Sequence, residues 1–170
     1  MLIGLDEFYE YKNQFMNDIL TNDEILRLMD DDYIQRAKPE DLMYTQVFPF
    51  EYVPEPIEHA HTFICCDIDV QRATNKTFLQ PIIYVWVFAH KSKLRLPDGA
   101  GVRTDKLASE IVKTINGSRQ YGLGELDFYS SKRFAPINDY QGKMLVFHAT
   151  EFNRQLPTGK PIPANRRHPV

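Results

Sequence analysis

The chain has 170 residues, of which 43% are hydrophobic and 12% aromatic, and its formal net charge at pH 7 is -3. This length supports one well-buried core with appendages and is short for two domains. The apolar run over residues 82–89 has less than half the length of a membrane-spanning helix, so the sequence predicts a soluble protein. No basic region followed by an apolar one opens the chain, and we expect no secretion signal.

The charge is distributed unequally along the chain. Residues 1–60 carry 14 acidic and 4 basic residues, whereas residues 61–170 carry 9 acidic and 16 basic ones, which gives net charges of -10 and +7. Such a dipolar chain can associate head to tail with copies of itself or with charged partners, although solvated surface charge also explains the pattern. The balance does not indicate a dedicated nucleic-acid binder.

The first part of the chain is predicted to be helical. Apolar residues at helical spacing, with acidic residues in the opening turns, predict a helix over Leu5–Leu20. Residues 21–24 match a capping box, in which the Thr21 hydroxyl bonds the backbone of Glu24 and the Glu24 side chain reaches back. A short second helix over residues 22–29 should follow. Pro39 can begin one further turn, since proline is tolerated at a first helical position.

Two strands are predicted in the middle of the chain. Three prolines in residues 48–56 favour an extended, aromatic-rich connection that lies across the sheet or a neighbouring subunit. Residues 62–70 and 82–90 are rich in β-branched and aromatic side chains and predict an antiparallel pair. The second of these strands is apolar on both faces and should be covered on both. The polar residues between the strands are numerous enough for a protruding hairpin arm.

The second half alternates loops, one helix and two more strands. Residues 91–101 form a basic loop with a Pro-Asp-Gly turn signal, and residues 104–116 form a helix with Thr104 as its N-cap. Further strands are predicted over residues 125–134 and 143–152. The last segment, residues 153–170, has four prolines, four basic residues and no acidic residue, so it is either disordered or an arm laid on another protein.

These elements predict an α+β protein. Its N-terminal helices precede a β-β-α-β-β order, which forms a mainly antiparallel four-stranded sheet packed by helices and accompanied by extended arms. We expect one domain over residues 1–152. It consists of a helical part over residues 1–47, a Pro-rich connection over residues 48–60 and a sheet-and-helix core over residues 61–152. The Pro-rich basic arm covers residues 153–170.

The candidate catalytic and metal-binding residues do not form a recognisable motif. His59, His61, Cys65 and Cys66 have a spacing unlike that of zinc sites, and adjacent cysteines on a strand point to opposite faces, so we expect neither a metal site nor an intrachain disulfide. The absence of a disulfide fits a reducing compartment. Asp67 and Asp69, the remaining candidates, share a strand face that could hold Mg²⁺, but a polar surface or an interface salt bridge is the favoured interpretation.

Basic residues cluster around the loop before the second-half helix. They could face DNA phosphates or an acidic neighbour, and solvent exposure is the ordinary alternative. The residues concerned are Lys91, Lys93, Arg95, Arg103 and Lys106. Neither Gly122 and Gly124 nor the five histidines complete a phosphate loop or a local nucleophile motif, so we predict no enzyme and no cofactor.

Three stretches carry a resemblance to known proteins: F-I-C-C-D-I-D-V at residues 63–70, the strand-loop-helix at 83–111, and N-G-S-R-Q-Y-G-L-G-E-L through E-F-N-R at 116–154. In these stretches and in its β-β-α-β-β order, the chain resembles the tail terminator and tail completion proteins, which join head to tail in the neck of tailed bacteriophages. The resemblance implies a virion structural protein, assembled in the host cytoplasm, that forms a homohexameric ring by heterologous contacts.

The resemblance also implies the partners of the ring. One face would cap the tail tube and the other would accept the head-side connector, while viral DNA passes through the lumen without sequence recognition and no membrane or cofactor is involved. The residues expected at subunit or partner contacts are Arg72, Asn75, Lys76, Lys91, Lys93, Arg95, Arg166 and Arg167. Two alternatives stay open: a head-tail connector adaptor or stopper that binds the portal side, and a metal-dependent nucleic-acid enzyme.

Overall fold

The computed structural model describes residues 5–29, 38–55, 60–71, 78–121, 124–149 and 151–152. The predicted tip of the hairpin arm and the predicted C-terminal arm lie outside these ranges. Within them, the chain forms three α-helices and six strands. The helices are α1 (Leu5–Leu20), α2 (Asp23–Met29) and α3 (Arg103–Ile115). The strands are β1 (Val47–Phe48), β2 (Thr62–Gln71), β3 (Phe78–His90), β4 (Asp127–Phe134), β5 (Tyr140–His148) and β6 (Glu151–Phe152).

The strands form one sheet with the order β1-β2-β3-β5-β4. Strand β1 pairs parallel to β2, and the other pairs in this order are antiparallel. Strand β6 pairs with the beginning of β3. The predicted α+β class and its β-β-α-β-β order are therefore confirmed, but the expected four strands omit β1 and β6. These two strands have two residues each, too few to show a periodic pattern in the sequence.

The sheet is buried on both faces along β3, as its apolar sequence predicts. On the face covered by the helices, Val85 and Val87 join the main hydrophobic core with residues of all three helices. On the opposite face, here called the outer face, Trp86 and Phe88 belong to an aromatic cluster. The cluster also contains Phe48, Phe63, Cys65 and Tyr140.

The Pro-rich connection after β1 lies across the outer face, which confirms one of its two predicted positions for the described residues. The ring of Tyr52 stacks on that of Phe48 with centroids 4.1 Å apart, and it contacts Phe63 at 5.5 Å. Extended backbone is what the prolines impose on this segment. The ring of Tyr52 thereby packs against the outer aromatic cluster.

Two predicted helix caps are wrong. The cap of α2 is Asn22, whose Oδ1 accepts hydrogen bonds from the N–H groups of Glu24 (3.0 Å) and Ile25 (3.1 Å). The Thr21 hydroxyl does not cap α2, because it donates to the carbonyl of Asn17 in the last turn of α1 (2.9 Å). Helix α3 begins one residue earlier than predicted, and Thr104 is buried inside its first turn.

The start of β5 also differs from its predicted position. Strand β5 begins at Tyr140 and not at residue 143, because the N–H of Tyr140 bonds the carbonyl of Ile137 (3.1 Å) and closes a tighter turn. This earlier start brings Gly142 into the sheet opposite Phe88 of β3 and Phe134 of β4. The β3–β5 and β5–β4 pairings together position the candidate site.

Candidate functional site

A groove lies between helix α3 and the exposed edge of the sheet. Helix α3 makes its main contacts within the sheet with β3 and β5. Strand β4 is the edge strand beyond them, five of its eight residues are exposed, and no other strand of the described residues pairs along this edge. Two adjoining cavities of about 380 and 320 Å³ follow it and share Asp105 and Lys143. We call the two cavities together the α3–β4 groove.

The floor of the α3–β4 groove is apolar and its rim is basic. Ala108 and Val112 of α3 face Phe128 and Leu145 of the sheet across one cavity. The other cavity is lined by three basic residues, Arg95, Arg133 and Lys143, and one acidic residue, Asp105. Protein–protein interfaces commonly combine an apolar core with a polar rim, and the groove has the same arrangement.

The rim charges are only partly compensated by the residues in the described ranges. Lys143 Nζ lies 3.4 Å from Asp105 Oδ1. This ion pair is exposed, so water screens it and its attraction is weak. Among the residues that the structure describes, no carboxylate lies within ion-pairing distance of Arg95 or Arg133. The groove therefore presents net positive charge to an approaching partner.

The structure separates the predicted contact residues of the loop. Lys91 forms an exposed ion pair with Asp139 at 2.5 Å, and the carbonyl of Lys93 accepts from Arg103. Of Lys91, Lys93 and Arg95, only Arg95 lines the α3–β4 groove. The other predicted contact residues, Arg72, Asn75, Lys76, Arg166 and Arg167, lie outside the described residues.

Arg103 does not belong to the exposed basic cluster that the sequence predicts. Its side chain is 3% exposed, and its guanidinium donates to the carbonyls of Leu28 (2.6 Å) and Lys93 (2.7 Å). It thereby joins the last turn of α2 to the loop before α3. A buried guanidinium cannot contact DNA phosphates, so its role is structural.

Sequence reasoning missed Arg133 and Lys143. These residues are paired across β4 and β5 and share the helix side of the sheet, but their pairing depends on an irregularity between Phe128 and Ser130. The irregularity inserts one extra residue into β4. Simple alternation of side chains from Phe128, without this residue, would place Arg133 on the opposite face of the sheet. The one available signal was the polar run over residues 130–133 in the sequence of β4.

The candidate metal residues are dispersed or already bonded. Asp67 Oδ1 accepts hydrogen bonds from Lys12 Nζ (3.1 Å) and from the N–H of Ile68 (2.8 Å). Asp67 and Asp69 both line a recess of about 360 Å³ on the outer face. In the ranges given above, no three His, Cys, Asp or Glu residues are grouped so that they could hold a metal ion. His59 lies outside those ranges.

The two cysteines are buried on opposite faces, as predicted. Cys65 belongs to the outer aromatic cluster and Cys66 to the main core. Burial raises the pKa of the Cys65 thiol to about 12, and burial likewise raises the pKa of Cys66 well above its usual value. Both thiols are therefore protonated at neutral pH, whereas the thiolate is the reactive form.

Taken with the fold, these features define an α+β protein with an apolar-floored, basic-rimmed groove at one sheet edge. None of the helices in the described ranges is long and apolar enough to cross a membrane. Residues 22–149 match the model of the YomW family, and the chain belongs to this family. The family is phage-derived, so this is a phage-related protein. The matched residues include α2, α3, β1 to β5 and the whole α3–β4 groove. No curated protein matches the chain.

Proposed function

We propose that this protein is a structural protein of the phage neck. It forms a tail terminator or tail completion ring, which caps the tail tube and joins it to the head-side connector. The α3–β4 groove carries the proposal, because it is a positively charged, apolar-floored surface beside an open sheet edge. Membership of a phage-derived family and the resemblance to neck proteins support the same conclusion.

The position of the groove suits a ring. A closed ring of identical chains requires a heterologous contact, in which a surface on one copy meets a different surface on the next. Edge strands present unpaired backbone groups and are natural sites for association with another chain. The groove supplies one such surface at the β4 edge, together with rim charges that can select and orient the partner.

The mass of the purified protein in solution tests the ring. We expect light scattering at low salt to give a particle of six chains of 19.9 kDa each, and negative-stain images to show closed sixfold rings. Raising the salt to about 1 M shortens the Debye length to about 3 Å and should shift the population towards smaller species.

Two other results would change the proposal. A monomer at both salt concentrations contradicts a ring that forms without its partners. A twelvefold ring instead favours the portal-side adaptor. The same images distinguish these outcomes, because ring symmetry is visible directly.

A further inference from the structure

The sheet edge opposite the groove has an unusual backbone conformation. Tyr44, just before β1, has φ = 62°, and no other non-glycine residue in the described ranges has a positive φ. A bulky side chain rarely adopts this conformation, which persists only where the surrounding structure imposes it. Here the N–H of Tyr44 bonds the carbonyl of Val47 (2.9 Å), and that of Gln46 bonds Leu42 (3.0 Å).

This conformation accompanies an exposed aromatic side chain. Tyr44 is 58% exposed and Phe50 is 43% exposed, and their ring centroids are 6.4 Å apart. Two exposed acidic residues, Glu40 and Asp41, precede them in the same turn-rich segment. We call Glu40, Asp41, Tyr44 and Phe50 the β1-edge knob. It combines aromatic rings with negative charge.

The exposed apolar side chains concentrate at the two sheet edges. In the described part of the chain, six large hydrophobic residues are exposed: Tyr9, Tyr44, Phe50, Val53, Val102 and Tyr129. Three of them lie in the segment around β1, Val102 lines the α3–β4 groove, and Tyr129 lies on β4. Only Tyr9 is elsewhere, so the apolar surface that remains to be buried lies mainly at opposite edges of one sheet.

We propose that the β1-edge knob of one copy docks into the α3–β4 groove of a second copy. The aromatic rings of Tyr44 and Phe50 enter the apolar groove, while Glu40 and Asp41 face the rim at Arg95 and Arg133. Each contact leaves a free groove on one copy and a free knob on the other, so further copies add until a ring closes. This inference rests on the proposed ring and identifies its subunit contact.

The size of the contact predicts its strength. A fully buried aromatic side chain buries roughly 150–250 Å², and Tyr44 and Phe50, which are 58% and 43% exposed, can add only about half of that each. A standard interface buries roughly 800 Å² on each partner. One knob-groove contact should therefore give a weak pair. A closed ring is more stable because every copy makes two contacts, and the ring should accordingly form cooperatively with concentration.

Two single substitutions separate the two surfaces. Tyr44→Gly removes the ring of the knob and relieves the positive φ, so its urea midpoint should equal or exceed that of the unmodified protein. Arg133→Glu reverses a rim charge on an exposed position. We expect each variant to weaken self-association by at least about tenfold, as loss of a hot-spot residue does. Sedimentation velocity over a concentration series measures this change.

Each substitution has a matched control. Tyr9→Ala removes an equally exposed tyrosine from α1 that belongs to neither the β1-edge knob nor the α3–β4 groove. Lys132→Glu reverses the neighbouring charge on β4, where Lys132 is paired with Met144 on the outer face. Both controls should associate like the unmodified protein.

Mixing the two variants gives the decisive result. The Tyr44→Gly copy keeps its groove and the Arg133→Glu copy keeps its knob, so an equimolar mixture should form heterodimers of one copy each and no rings. Because this heterodimer has a single weak contact, sedimentation velocity follows the mixture up to the highest soluble concentration. A mixture that is as monomeric there as each variant alone, or that forms rings, overturns the docking. If rings of the unmodified protein survive both substitutions, the docking is wrong but the ring stands, whereas an unmodified protein that never associates contradicts both.

Discussion

Replacing Gly142 with alanine is expected to destabilise the protein by about 3 kcal/mol or more, because the added methyl group has no space. A Cβ on Gly142 would overlap the carbonyl oxygen of Val87 and lie 2.6 Å from the Cα of Phe88. Both are backbone atoms of the central strand β3 and cannot move without breaking the β3–β5 ladder. Gly142 is paired with Phe88 of β3 and with Phe134 of β4. The rings of these two residues contact each other on the outer face, with centroids 5.5 Å apart.

Urea unfolding, followed by the fluorescence of Trp86, measures the effect, since this is the only tryptophan and it lies in the outer aromatic cluster. Gly99→Ala is the matched control. Gly99 has φ = 71°, but no atom lies within 4 Å of the place that an added methyl group would take, so its substitution costs only backbone strain, about 1 kcal/mol. Equal stability of the two variants would show that Gly142 is not sterically required.

Replacing Arg103 with methionine should lower the free energy of unfolding by about 3 kcal/mol. The substitution keeps a long side chain but leaves the carbonyls of Leu28 and Lys93 without the donors at 2.6 and 2.7 Å. An unsatisfied buried carbonyl costs about 1–3 kcal/mol. Lysine cannot replace the two donations in the same geometry, so Arg103→Lys should also destabilise the protein.

The control for Arg103 is Arg95→Met, a substitution of the same type in the loop before α3. Arg95 is exposed, and its replacement should change the free energy of unfolding by no more than about 0.5 kcal/mol. Urea unfolding again gives the comparison. If both methionine variants unfold at the same urea concentration, the bonds of Arg103 do not hold α2 and the loop together as described.

The main elements could be predicted from sequence because their patterns are long. The spacing of apolar residues in α1 predicted both ends of the helix. The β-branched and aromatic composition of β2 and β3 predicted the central antiparallel pair. The caps were harder, because Ser, Thr, Asn and Asp are nearly equivalent as capping residues. Asn22 and Thr21 are neighbours, and only the bond of Thr21 back into α1 decides between them.

The candidate surfaces could be predicted only in part. Arg95 was found because it belongs to a basic loop, but Arg133 and Lys143 reach the same groove through strand pairing that includes an irregularity. Arg103 looked like its exposed neighbours, and only the packing of α2 against α3 buries it. Tyr44 gave no signal, because a positive φ at tyrosine is imposed by the surrounding turn and is not favoured by the residue itself.

Removing the gene from the phage or prophage that encodes it tests the neck function most directly. Electron micrographs of the induced lysate should then show filled heads and separate tails, many of abnormal length, with few joined particles. The plasmid-borne gene should restore joined virions, whereas its Arg133→Glu form should not and its Lys132→Glu form should. Joined, infectious virions in normal numbers without the gene would contradict a role in the neck.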